Sequence, residues 1–550
     1  MSAPTTRKAT TMNRMLPLLA AAAGSLLAAA AQAAAPGISG TTFNLSATPA
    51  YLTQPDGQAV YSWGYGCTGG ALAAGQSFVP ATTTTPFCTT MQIPGPTLVV
   101  TEGQSVTVVL TNNLPASAGN TSMLFPGFTL TSACPAANQG LLTCEAAPGG
   151  TVTYTFTASS PGTRAYYSGT QGDLQVEMGL YGAIIVLPAN VPAVCTAGLP
   201  TTNPGGNAAA RTTWGESDFR LAAAAYDHPD TCYDREYLFQ FSEMDPNVHN
   251  QALAQVTACA APTAALGCHL NVPTEPYHPV YFMINGRSMP DDMDSNYAAQ
   301  YPHQPYNGNP HMHPGELTLL RIIGQGRWQH PFHEHGNHVR ILARDGNLIL
   351  GNASLNYPAG GTATVSAPAL AGPLLFTTTT TPGLAMDGIF YWSGRGLNWD
   401  AYGHHPGAGT TANSELPCAP DANGYNTAAT GAVNYFEWCQ DHNKPLQVHP
   451  FGDVGAGGPV TLPDPNLFTN GAWFGGSPYL GPDATVRATG PTGTTPPSGT
   501  IANSPTSEAG FAFMWHSHNE REITTNNIFP GGMLMMMLVD SREFVIDESN

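Results

Sequence analysis

The stretch Thr97–Asn113, "TLVVTEGQSVTVVLTNN", decides how the chain is read. Two β-branched runs flank a short polar turn, the pattern of two adjacent strands. Similar runs recur along the chain: "GGTVTYTFTAS" from Gly149, "GAIIVLP" from Gly182, "ELTLLRIIGQG" from Glu316, "HVRILARDG" from His338 and "GIFYWSG" from Gly388. Turn residues separate them, and helical periodicity is nearly absent. The pattern predicts an all-β protein built from sandwiches. The order of Pro-Gly entry, paired strands, aromatic-rich strand and closing apolar strand occurs twice. It predicts two sandwich domains, at residues 36–190 and 235–545, joined by a connector at 191–234. A Gly/Pro/Thr/Ser-rich insertion at about 406–508 interrupts the second and reads as a mobile loop.

The chain opens with Arg7, Lys8 and Arg14, then the apolar run Met15–Ala30 and the small-residue stretch "AQAAAPG". That layout predicts a signal peptide over residues 1–35, cleaved after Ala33 or Ala35. Its apolar segment is short and Ala-rich for a bilayer span, and no later run is long enough for one. The expected location is the periplasm or the exterior. The formal charge is −19, and removing the leader takes three cations with it. Such a balance excludes a nucleic-acid partner and suits either a soluble exported protein or a cationic substrate. The ten cysteines then predict disulfides. Neighbour spacing suggests Cys67–Cys88, Cys134–Cys144, Cys259–Cys268 and Cys418–Cys439, leaving Cys195 and Cys232. No cysteine lies in a CxxC metal pattern.

Most of the 17 histidines lie in the second block. "HPFHEHGNH" supplies His330, His333, His335 and His338, and "MWHSHNERE" supplies His516 and His518. Residues two apart on a strand share a face. Two such pairs on adjacent strands would turn four imidazoles to one metal, and imidazole suits copper, zinc, iron or nickel. Ser517, between the second pair, would face the other way. "HMHPGE" (His311, His313) and "YGHHP" (His404, His405) read as structural or surface features. Met535, Met536 and Met537 read as core filler, with Met533 the one sulfur worth testing as a ligand. Neither GxSxG nor HExxH occurs, and no phosphate-cradling loop is evident.

These motifs resemble the multicopper oxidase family. "HPFHEHGNHVRILARDG" is similar to its "HPFHLHGH" signature, and "WHSHNERE…PGGM" to its "HCHxxxH…GM" signature. "PGPTLVVTEGQSVTVVLTNNLP" and "SPGTRAYYSGT…MGLYGAIIV" resemble its first cupredoxin domain. The resemblance implies two cupredoxin-like Greek-key sandwiches, copper as cofactor, and a small reductant or metal ion as substrate. It leaves a homotrimer open. Carried over residue by residue, it places His330, Ser517, Glu522 and Met533 at the type 1 copper. It places His333, His335, His516 and His518 at the oxygen-reducing cluster.

The departures are large. A serine hydroxyl cannot replace the thiolate that makes a blue-copper centre and links it to the flanking histidines. "TSMLFPGF" stands where the family carries "HWHG", and "AYYSGTQ" where it carries "WYHSH". A normal trinuclear centre cannot be assembled from the four remaining imidazoles. Three readings stay open: a copper-dependent oxidoreductase with an unusual site, in which Glu522 moves protons as the catalytic carboxylate; a non-enzymatic copper storage, tolerance or delivery protein; and a metal-free cupredoxin scaffold.

Overall fold

The computed structural model describes residues 35–196, 216–353, 368–394 and 510–541, apart from positions 82 and 84, with short stretches elsewhere. The predicted leader, most of the 406–508 insertion, His404 and Cys439 lie outside the described residues. So does the predicted Cys418–Cys439 pair. The protein is mostly β, with two cupredoxin-like sandwiches. In the first, a five-stranded sheet faces a four-stranded sheet; in the second, a seven-stranded sheet faces a six-stranded one.

The opening stretch shows how sequence becomes position. The strand Ser105–Asn112 alternates: Val106, Val108 and Leu110 are buried in the first core, with the half-buried Thr107 and Val109 between them. Gly95–Thr101 reads instead as a continuous apolar run because both of its faces are covered. Leu98 and Val100 enter the first core, while Val99 packs in a cluster with Leu238, Ile323 and Ala385 of the second sandwich. That interface also holds polar groups. Thr163 donates through its backbone N–H (3.1 Å) and hydroxyl (2.6 Å) to Asp387, which also accepts the Tyr226 hydroxyl.

In the second sandwich Leu317–Gly324 runs parallel to the fully buried strand Arg235–Met244. Across the core, His330–Glu334 pairs antiparallel with Gly510–Ser517, 180 residues further on. The register places His333 opposite His516, Phe332 opposite Ser517 and Glu334 opposite Trp515. Phe332 and Trp515 belong to the core cluster. The pleat therefore sorts the two strands. His330, Phe332, Glu334, Trp515 and Ser517 share the inner face, and His333 and His516 share the outer one.

Among the described residues four disulfides are formed: Cys67–Cys88, Cys134–Cys144, Cys195–Cys232 and Cys259–Cys268. The two cysteines left over by neighbour spacing thus bond to each other across 37 residues. No helix among the described residues is long and apolar enough to cross a membrane.

Candidate metal centre

The paired strands bring four imidazoles together. Ring centroids lie 4.7 Å apart for His333 and His335, 4.8 Å for His333 and His518, 5.2 Å for His335 and His516, and 5.5 Å for His333 and His516. The Nε2 atoms of His335 and His516 stand 3.2 Å apart. Two nitrogens bound to one ion at about 2.0–2.1 Å stand on the order of 3 Å apart in a four-coordinate shell, so this spacing fits a shared metal.

Hydrogen bonds orient the rings from behind. His333 Nδ1 meets the Thr377 hydroxyl at 2.7 Å, and His516 Nδ1 donates to the Ser517 carbonyl at 2.7 Å. The Trp515 indole N–H donates to the His335 carbonyl at 2.8 Å. The two Nδ1 contacts set the tautomer and angle of the His333 and His516 rings, and the Trp515 bond holds the backbone of His335. Burial, reinforced by the nearby His335, His516 and His518, pulls the His333 pKa down to about 4. Burial also lowers that of His516. Both rings are then neutral near pH 7, the form that offers a lone pair to a metal. His518 is exposed, so the cluster is reached from solvent.

The structure does not bring His330, Met533 or Glu522 to this cluster. His330 precedes His333 by three residues and faces inward. Its Nδ1 meets Glu522 Oε2 and its Nε2 meets Glu243 Oε2, each at 2.9 Å. Burial alone would lower its pKa, but hydrogen bonds to the two carboxylates outweigh that and raise it to about 9. A ring protonated on both nitrogens has no lone pair for a metal. Met533 is fully buried among Phe332, Trp515 and the other methionines, as core filler. Glu522, expected at the reacting face, lies 1 % exposed beneath Ser517, whose hydroxyl donates to it.

Where the family's first-domain imidazoles would stand, the hydroxyls and amides bond to one another. Thr121 donates to Gln175 Oε1 (2.8 Å), Ser168 to the same oxygen (2.7 Å), and Ser122 pairs with Thr170 (2.8 Å).

The histidines of "HMHPGE" are buried and structural. His311 Nδ1 meets Asp540 at 2.7 Å and His313 Nε2 meets Glu216 at 2.7 Å. Glu216, His313 and Glu316 converge closely enough for an ion, but the Arg235 guanidinium already bridges the two carboxylates. Although burial pushes the Glu216 carboxyl up, Arg235 and His313 hold it at about 2. Sequence reasoning missed the Glu243–His330–Glu522 arrangement. Its one local signal was glutamate in place of histidine at position 522, while Glu243 comes from a strand 87 residues before His330.

Comparison with known proteins places this geometry in context. Residues 76–191 match the family model described as multicopper oxidase. A segment of 95 residues is 38% identical to an L-ascorbate oxidase of Brassica rapa subsp. pekinensis, covering 17% of this chain and 16% of that protein. The chain thus spans about a sixth of the length of that curated relative. Among solved structures, a blue copper oxidase from Nitrosomonas europaea is 15% identical, with TM-score 0.40, over 90% of this chain and 85% of that one. A copper nitrite reductase from the same organism is 17% identical, with TM-score 0.34, over 64% and 84%.

Proposed function

We propose that this chain, whose residues 76–191 match the multicopper oxidase model, is an exported copper-dependent oxidoreductase with a single copper site. His333, His335, His516 and His518 would hold the ion. The observation that carries this reading is the convergence of two histidine pairs from strands far apart in sequence, with 3.2 Å between two ring nitrogens. Bound copper supplies one-electron chemistry toward a small reductant or a metal ion.

The protein's own contribution is orientation and access. Thr377, the Ser517 carbonyl and Trp515 hold three of the histidines, while exposed His518 leaves the site open to substrate. The formal charge of −19 favours a cationic substrate through the long-range field. Four disulfides suit an oxidising compartment, in keeping with export.

A second reading, stoichiometric copper carriage without turnover, is favoured by the closed hydrogen-bonded first-domain positions and by the absence of a thiolate at Ser517. One experiment separates the two. Copper per chain, the visible spectrum and oxygen uptake are recorded with phenolic and metal-ion reductants. The expected result is one copper, no blue-copper absorption, and oxygen uptake that disappears in a His333→Ala/His516→Ala variant. Copper uptake without oxygen consumption supports the carrier. Unchanged copper content in the double variant removes both readings.

A further inference from the structure

Ser517 lies between two of the four imidazoles, yet its side chain is on the opposite face of the strand. Its hydroxyl donates to Glu522 Oε2 and accepts from the Asn519 N–H at 3.2 Å. Glu522 Oε2 also meets His330 Nδ1, and His330 Nε2 meets Glu243 Oε2. The second Glu243 oxygen accepts the backbone N–H groups of Arg327 (2.7 Å) and Trp328 (2.9 Å), and faces the Tyr277 hydroxyl at 3.3 Å. The Asn519 amide donates to Glu522 Oε1 at 2.9 Å. Ser517, Glu522, His330 and Glu243 are each at most 2 % exposed.

The backbone is tied to the same group. Ser517 N–H donates to Met533 O (3.0 Å), Met533 N–H to Glu522 O (2.8 Å), and His518 N–H to Pro331 O (2.8 Å). The strand ends at Ser517. His518 therefore begins the loop that leads to Glu522, and the Ser517 hydroxyl ties the backbone between His516 and His518 to that carboxylate. Where the family resemblance puts a second metal, an imidazole stands between two carboxylates, 2.9 Å from each.

We propose that Glu522 and His330, acting through the Ser517 hydroxyl, are positioning residues for the copper site: they fix the strand end that carries His516 and His518. The proposal rests on the four-histidine reading above. It goes beyond it by assigning a role to residues on the side of the strands that faces away from the metal. A buried hydroxyl needs an acceptor in any case. What distinguishes positioning from simple satisfaction is that the metal responds to changes in this network.

The test uses the full chain and copper(II) itself. Copper affinity is measured by competition with a chelator, the electron paramagnetic resonance spectrum of the bound ion is recorded, and thermal unfolding of the metal-free protein monitors folding. Removing an outer partner of a metal ligand typically costs about 10–100-fold in affinity. Ser517→Ala and Glu522→Gln are expected to weaken copper within that range and to change the nitrogen hyperfine pattern. Ser517→Thr, which keeps the hydroxyl, is expected to restore both. Affinities within about twofold of the parent and an unchanged spectrum in Ser517→Ala and Glu522→Gln would overturn the positioning role alone. A parent protein that takes up no copper would overturn the functional reading and this role with it.

Discussion

Raising the pH through the His330 titration tests the buried network most directly. The imidazole has both nitrogens against carboxylates, and its pKa rises from the ordinary 6.5 to about 9. Each pKa unit is worth about 1.4 kcal/mol, so the protonated ring stabilises the fold by about 3 kcal/mol. The sign follows from linkage. Because the folded-state value lies above the unfolded one, this stability is fully present below pH 6.5 and is lost as pH rises through about 9. Another group titrates nearby: burial pushes the Glu334 carboxyl up to about 8, despite a hydrogen bond from Thr378. An acid with a raised folded pKa loses stability between its ordinary 4.5 and about 8, so the parent curve slopes for two reasons. The assay is therefore a difference. Urea unfolding is followed from below pH 6.5 to above 9 for the parent and for His330→Gln, and the two curves are subtracted. The Glu334 contribution cancels, leaving about 3 kcal/mol by which the parent loses its advantage. Parallel curves across this window would refute the assignment of a shared proton to Glu243, His330 and Glu522.

Asp387→Ala is expected to cost about 1–3 kcal/mol in urea unfolding for each buried donor left unsatisfied, because it removes the acceptor for Thr163 and Tyr226 between the sandwiches, while Arg321 keeps its closer partner Glu236 at 2.8 Å. Glu334→Leu removes a buried carboxyl whose Oε2 has no hydrogen-bond partner; it is expected to stabilise by about 1–3 kcal/mol, read as a higher Tm, and to flatten the stability profile between pH 4.5 and 8. Ser517→Cys restores a thiol but not a free imidazole. Its copper affinity, followed by thiolate absorption, is expected to rise about a hundredfold per pH unit below the ordinary thiol pKa of about 8.5, one proton leaving the thiol and one leaving His330. A slope of about tenfold per unit, the thiol proton alone, would refute that coupling.

The fold was legible because its signals are local. Val106, Val108 and Leu110 recur at every second position of a β-branched run, and that local pattern reports a strand. The continuous run at Leu98–Val100 was legible as a strand but not as an interface, since its second cover comes from Leu238 and Ile323, more than 130 residues away. The same limit shaped the reading of the metal centre. His-x-His spacing reports that two side chains share a face, and it did so for both pairs. It carries nothing about register. A one-residue slip between His330–Glu334 and Gly510–Ser517 would have turned one pair inward and left no common centre.

Family spacing misled at His330 for a related reason. The motif fixes the backbone position of that imidazole, and the structure keeps it there, on the inner face beside Ser517 and Met533. What decides between a ligand and an imidazolium is the chemistry across the pocket. A thiolate and a second histidine would compete for a soft metal ion and leave the ring neutral. Glu243 and Glu522 present two buried carboxylates to its two nitrogens, and a proton on the ring satisfies both. Ser517 and Glu522, where the family resemblance expects a thiol and an imidazole, are therefore coupled to each other. The Ser517 hydroxyl donates to Glu522, and the same carboxylate meets His330, so hydroxyl, carboxylate and imidazole form one hydrogen-bonded group. The inner face of the strands is held by hydrogen bonding as one unit, while the outer face carries the four imidazoles.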